Sequence, residues 1–224
     1  MPDLSTDLHV KMLVAAKRKH SIVRRIARSI RKAMEPHVYG LQWGVIEDVP
    51  PLLHTLEHWL RPYVKPDQIA VEIGPGGGRW TKHLLGFRQV YAVDYYEPVL
   101  AELKANFGKH KNVTFIRNNG TDFPGIPDHS VDFLFSFGAF VHMDLPVIES
   151  YLDNIPRIMK PGGNVVIHYS DQNKIMAQES TGFSHNTPEL MRAAVLARGY
   201  RILQEDTTSL WHSSLIRLTT GSTA

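Results

Sequence analysis

The sequence predicts an α/β protein: a mostly parallel sheet with helices on both faces, closed at its end by an antiparallel hairpin. Three observations carry this prediction. Strand and helix patterns alternate between residues 69 and 169. The first strand pattern runs straight into a glycine-rich turn. The last two strand-like runs are joined by a Thr-Ser-Leu link, too short for anything but antiparallel neighbours.

Taken in order, strands are expected at Ile69–Ile73, Gln89–Asp94, Val113–Arg117, Val131–Phe137 and Asn164–Tyr169, each a short apolar run between turn residues. Helical spacing marks about 79–86, 97–107 and 146–159 between them. Tyr200–Thr207 and Trp211–Thr219 form the terminal hairpin. Ahead of the sheet, Leu52, Leu53, Leu56, Trp59 and Leu60 share one helical face. Earlier still, Val10, Leu13, Val14, Ile22, Val23, Ile26, Ile30 and Met34 recur at helical spacing until Pro36 stops the pattern. Two parts follow: residues 1–50 as a basic amphipathic helix and connector, and residues 51–224 as the α/β domain.

Composition narrows the function classes. A chain of 224 residues, 43% hydrophobic, suits one globular domain with an appendage. The absence of cysteine excludes disulfides, thiolate zinc sites and cysteine nucleophiles. No apolar run reaches the ~20 residues of a membrane span, and no signal-peptide core is visible. A cytoplasmic protein is expected. Residues 1–36 hold nine Lys and Arg against three acids, a net +6, which leaves −3 for the remainder. The bland reading of this basic helix is a stripe packed on the domain with solvated charges. The sharper ones are a lid over a ligand or weak contact with an anionic membrane surface. No aromatic residue interleaves the charges, so no nucleic-acid partner is expected. A homodimer is compatible with the sequence.

The glycine turn reads Glu72-Ile73-Gly74-Pro75-Gly76-Gly77-Gly78-Arg79-Trp80-Thr81. A strand, a glycine turn and a helix start present backbone N–H groups to a ligand at the carboxyl end of the sheet. A phosphate loop would end Gly-Lys-Ser/Thr, and this one ends Gly-Arg-Trp-Thr. A dinucleotide turn needs a third glycine where Arg79 stands, for close helix–strand packing. Glu72 favours a cationic ligand over a pyrophosphate. Asp94, at the end of the second strand and 22 residues beyond Glu72, is placed to accept from ribose hydroxyls. Its alternative role is a helix cap ahead of Glu97-Pro98.

With these residues in view, the chain resembles the class I methyltransferases that use S-adenosylmethionine (SAM). Val71 to Thr81 is similar to that family's first motif, and Asp94 to its ribose acid. Asn118-Asn119-Gly120-Thr121-Asp122 lies where the family contacts adenine. Ile126 to Asp132 and Met159 to Gly163 resemble its approaches to the fourth and fifth strands. The resemblance spans about residues 69–169. It implies a Rossmann-like seven-stranded sheet of order 3-2-1-4-5-7-6 with the last strand antiparallel. It also implies SAM as cofactor, held by Glu72, Gly74, Pro75, Gly76, Trp80, Thr81, Asp94, Tyr95, Asn119, Gly120, Thr121 and Ser136. Thr121 directly follows Gly120 where many relatives carry an acid, so Asn119, Thr121 and Asp122 all stand as partners for the adenine amino group.

In that fold the segment after the fourth strand lies beside the transferred methyl. Here it holds His142 and Asp144. An imidazole there suits proton removal from a hydroxyl. His142 is therefore expected as general base, with Asp144 orienting it or holding a metal. The alternative for His142 is a helix cap. A divalent metal such as magnesium is the less favoured route to an acidified hydroxyl, with Glu47 or His168 as distant ligands. Polar aromatics at loop and strand ends, namely Tyr39, Trp43, Tyr169, His185, Trp211 and His212, form the expected acceptor site. A core strand role for Trp211 and a packing role for Trp43 stand beside this. Tyr39 to Gly44 and Phe137 to His142 resemble sugar O-methyltransferases of methylmannose polysaccharide synthesis. The function so implied is methyl transfer to a hydroxyl of a sugar or oligosaccharide. A small-molecule O- or N-methyltransferase of another acceptor class is the first alternative. A catalytically idle SAM-fold protein acting through its basic N-terminal helix is the second.

Overall fold

The computed structural model describes residues 44–221. The expected basic helix, Tyr39 and Trp43 lie outside the described residues. Helix α1 (Pro50–Thr55) opens on two prolines, whose fixed φ suits a first turn, and continues through a π-type turn at Leu56–Leu60. Strand β1 (Ile69–Ile73) leads to the short α2 (Thr81–Leu84), then β2 (Gln89–Asp94) and α3 (Glu97–Phe107). Next come β3 (Val113–Arg117), β4 (Val131–Ser136), α4 (Leu145–Ile158) and β5 (Met159–Ser170). Helices α5 (Ile175–Gln178) and α6 (Pro188–Ala197) precede the hairpin of β6 (Tyr200–Asp206) and β7 (Ser213–Thr220).

The sheet order is β3-β2-β1-β4-β5-β7-β6. Strands β1 to β5 pair in parallel, and β7 runs antiparallel to both β5 and β6. The expected order and the single reversed strand are both present. Side chains alternate between two cores. Val71, Ile73, Leu134, Val165 and Ile167 pack with α4 and α6 on one face. Ala70, Ala92, Phe133, Phe135 and Val166 pack with Trp59, Leu60, Leu84 and Leu103 on the other.

Three expectations change. The reversed hairpin is joined by residues 207–212, so Trp211 and His212 sit in a loop ahead of β7 rather than in the strand. Helix α6 was not expected, although its signal is local: Thr187 Oγ1 accepts from Leu190 N–H and Pro188 fills the first turn. The helix after the glycine turn is four residues long, so the turn's backbone and not a helix dipole shapes the ligand site. No described helix is long and apolar enough to cross a membrane.

Candidate active site

The carboxyl ends of β1, β2 and β4 meet at the glycine turn. Gly74 has φ 68° and Gly76 φ 56°, the left-handed region that side chains resist. A Cβ on Gly74 would stand 2.4 Å from Ala139 Cβ, so β1 and the β4 turn close only over glycine. Gly74 N–H donates to the Val93 carbonyl, and Ser136 Oγ donates to the Ile73 carbonyl. These two bonds fix the strand ends on either side of the turn. Ser136 is thus a buried clamp between β1 and β4.

Glu72 is 2% exposed and accepts from Thr81 Oγ1 at 2.6 Å. Burial pushes its pKa up to about 8, Thr81 opposes the rise, and the charge of Asp94 adds to it. Asp94 itself is raised by burial, against the N–H groups of Tyr96 and Tyr95. Its Oδ1 accepts from Tyr96 N–H at 2.9 Å, a turn contact ahead of α3, whose N-cap position is Tyr96 with no side-chain cap, so Asp94 does not cap the helix. Beside it, a Cβ on Gly120 would lie 3.6 Å from the ring of Tyr95, which is 50% exposed. Tyr95 and Gly120 therefore lie close together beside Asp94. Asn119 Oδ1 accepts from the N–H groups of Thr121 and Asp122, and Asp122 Oδ1 accepts from Asn119 N–H. Both side chains hold their own loop in shape. Asn118, the first residue of the segment expected at adenine, is buried behind that loop and donates to the Tyr151 hydroxyl and the Asp122 carbonyl.

The turn opens into a cleft of about 510 Å³. Gly74, Pro75, Gly76, Arg79 and Trp80 line one end. Trp80 packs its ring on Phe135 and Phe137. Arg79 is lowered to about 10 by burial, with Glu47 opposing. Phe137, His142, His168, Phe183, Trp211 and His212 line the other end. Among the described residues that line the cleft, none is acidic.

Histidine geometry organises that second end. His142, in a turn after β4, bonds through Nδ1 to the main-chain carbonyl of Gly182. A carbonyl only accepts, so Nδ1 carries the proton and Nε2 holds the lone pair of the neutral ring. His142 and His212 both stack on Phe183, at 5.5 and 4.6 Å between ring centres. His168 is 2% exposed and stacked on Phe137 at 3.9 Å. Its Nδ1 accepts from Gly138 N–H, so its Nε2–H points to Ser213 Oγ. Burial, then His212 and His142, hold its pKa well below the histidine range.

Several expected residues take other places. Asp144 is the exposed N-cap position of α4, and the group that orients His142 is the Gly182 carbonyl. Tyr169 is fully buried in the core with α4 and α6, because strand alternation sends it to the face opposite His168. His185 is exposed and is not among the residues that line the cleft. Trp211 is 60% exposed at the cleft mouth, so the core-strand alternative for it fails. Glu47 faces Lys82 and His83, and His168 is bonded on both nitrogens, so neither is a ready metal ligand. Among the described residues no three His, Asp or Glu side chains converge as a metal site. Phe183 and Gly182 were missed, since nothing in Ser-Thr-Gly-Phe-Ser marks them.

A protein-family model described as "Methyltransferase domain" matches residues 71–167. Phosphoethanolamine N-methyltransferase 1 of Triticum aestivum is 32% identical over 104 residues. That match takes in 45% of this chain and 21% of the wheat protein, about a fifth of that relative's length. A SAM-dependent methyltransferase of Mesorhizobium loti superposes with a TM-score of 0.62 at 18% identity, over 77% of this chain and 99% of that one. One from Aquifex aeolicus gives 0.58 at 20% identity, over 76% and 93%. A Haloferax volcanii complex of a putative methyltransferase with the Trm112 activator gives 0.65 at 19% identity, over 79% and 92%. The domain match covers the glycine turn, Asp94 and His142 in chain order, and the structural neighbours share the sheet. Residues 71–167 thus match a methyltransferase domain, and the described sheet has the fold of SAM-dependent methyltransferases.

Proposed function

We propose that the cleft binds SAM and that the protein, working in the cytoplasm, transfers the methyl group to a hydroxyl of a sugar or oligosaccharide. The observation that carries this reading is the fixed tautomer of His142, whose Nε2 lone pair shares one cleft with the glycine turn. The residues fit SAM. The turn admits a ligand against backbone at Gly74 and Gly76, and a buried carboxyl lies under it at Glu72. Asp94 suits a ribose, and the exposed ring of Tyr95 offers a face to a purine. When bound, SAM supplies a methyl group on a positively charged sulfur.

The chain's own residues then have one chemical task besides alignment. The hydroxyl oxygen would take the methyl group that SAM supplies, leaving the demethylated donor, and His142 Nε2 would accept the hydroxyl proton. The Gly182 carbonyl holds the ring during this transfer and favours the imidazolium that results. His142 is exposed, so the proton leaves to solvent afterwards. Trp211 and Phe183 offer the aromatic faces that sugars stack on. The described residues do not fit a metal site, and no step is routed through one.

The wheat relative favours a second reading, methyl transfer to an amine. A transfer assay with labelled SAM separates the two. Mono- and oligosaccharides form one arm, and ethanolamine and phosphoethanolamine the other. Turnover confined to the amines overturns the hydroxyl reading. Absence of calorimetric binding by SAM and S-adenosylhomocysteine overturns both.

A further inference from the structure

We infer that His212 is an acceptor-binding residue, and that the acceptor is a neutral polyol whose second hydroxyl bonds to His212 Nδ1 while a first faces His142. The inference rests on the reading that His142 receives the proton.

The ring of His212 lines the cleft, yet its Nδ1 is buried and has no hydrogen-bond partner outside its own residue. A buried polar atom without a partner costs free energy, and a ligand group is one way to satisfy it. Its position is held tightly. The His212 carbonyl accepts from Asp171 N–H. Lys174 Nζ donates to the carbonyls of Leu210 and Ser213, on either side of it. Phe183 covers one face of the ring, and His168 meets it edge-on at 6.1 Å.

The chemistry of the ring selects the partner. Burial, then Lys174 and His142, hold His212 below the ordinary histidine range, against one backbone hydrogen bond. It is therefore a neutral imidazole, with one nitrogen donating and the other accepting. A hydroxyl matches either nitrogen. An ammonium group finds no carboxylate to pair with among the described lining residues. His142 and His212 both stack on Phe183, so an acceptor that bonds to both carries at least two hydroxyls.

The test is a steady-state split. The full chain is assayed with labelled SAM on methyl α-mannoside, maltose, glycerol and ethanolamine, and then on deoxy analogues of whichever polyol is methylated. His212→Phe keeps a ring on Phe183 and removes Nδ1. The expected result is an acceptor KM about tenfold higher with a much smaller change in kcat. His212→Asn restores a polar atom near Nδ1 and recovers part of the loss. One deoxy analogue costs the wild type about tenfold and His212→Phe nothing further. An unchanged KM in His212→Phe overturns the assignment. So does turnover limited to ethanolamine, or the absence of any sensitive second hydroxyl on the wild type. If the variants fail to fold, the wild-type deoxy series alone decides. Failure of the base reading is seen separately, as an undiminished kcat in His142→Gln.

Discussion

His142 and Gly182 are 40 residues apart in sequence and joined by one hydrogen bond, Nδ1 to main-chain carbonyl. Removing the imidazole should leave the donor side of the cleft intact. His142→Ala and His142→Gln are expected to lose about 10²- to 10⁴-fold in kcat. Their affinity for S-adenosylhomocysteine should stay within about threefold of wild type, a change under 1 kcal/mol. Calorimetry and single-turnover transfer measure the two quantities. Asp144→Asn, at the exposed cap of α4, should change kcat by less than about threefold, under 1 kcal/mol.

Glu72 makes stability fall as pH rises. Its folded pKa, about 8, lies above the unfolded value of 4.5. Between these values the folded state holds a proton that the unfolded state has lost, so folding weakens steadily and then levels off. Glu72→Gln should flatten the melting-temperature profile between pH 6.5 and 8. It should also melt higher than wild type at pH 8. Because a cationic ligand favours the carboxylate, SAM binding should release a proton, visible as buffer-dependent calorimetric heats that vanish in the variant.

His168 acts in the opposite direction. Its folded pKa lies well below 6.5, so below pH 6.5 the unfolded chain binds a proton that the folded one refuses. Stability is present above 6.5 and is lost as pH falls toward the folded value. His83 and His212, also lowered by burial, add to this slope. Melting of the Glu72→Gln variant from pH 7 to 5 isolates the effect, and His168→Gln in that background should reduce the slope.

Lys174 ties the β6–β7 loop to the segment after β5. Lys174→Met leaves two carbonyls and the buried Asp171 without their cation. A loss of about 2–4 kcal/mol is expected. Amide exchange at residues 207–212 should speed up, and the acceptor KM should rise while SAM affinity holds. Unchanged exchange in that loop would count against the tie.

Much of the donor side was legible in the sequence. Strands β1, β2 and β3 stand where their apolar runs begin and end, because turn residues bound them sharply. The glycine turn is where sequence and backbone geometry agree most closely, since positive φ demands glycine at Gly74 and Gly76. The acceptor side was less legible for definite reasons. A main-chain carbonyl such as that of Gly182 leaves no mark in side-chain chemistry. Tyr169 and His168 are adjacent and equally polar, and only the strand's phase tells which faces the cleft. Trp211 continues the β7 pattern in sequence, yet the chain turns outward there.

The two ends of the cleft come from different stretches of chain. Gly74, Pro75, Gly76, Arg79 and Trp80 precede residue 81; at the other end Phe137 and His142 lie within the family match, whereas His168, Phe183, Trp211 and His212 all follow residue 167. The family match ends at residue 167, one position before His168. Four of the six side chains at the acceptor end are therefore encoded beyond the matched domain. The α5–α6 segment and the β6–β7 loop form an exchangeable cassette. A chimera that replaces them should inherit a new acceptor while keeping its methyl donor, and lineages sharing the first 167 residues are free to diverge in substrate.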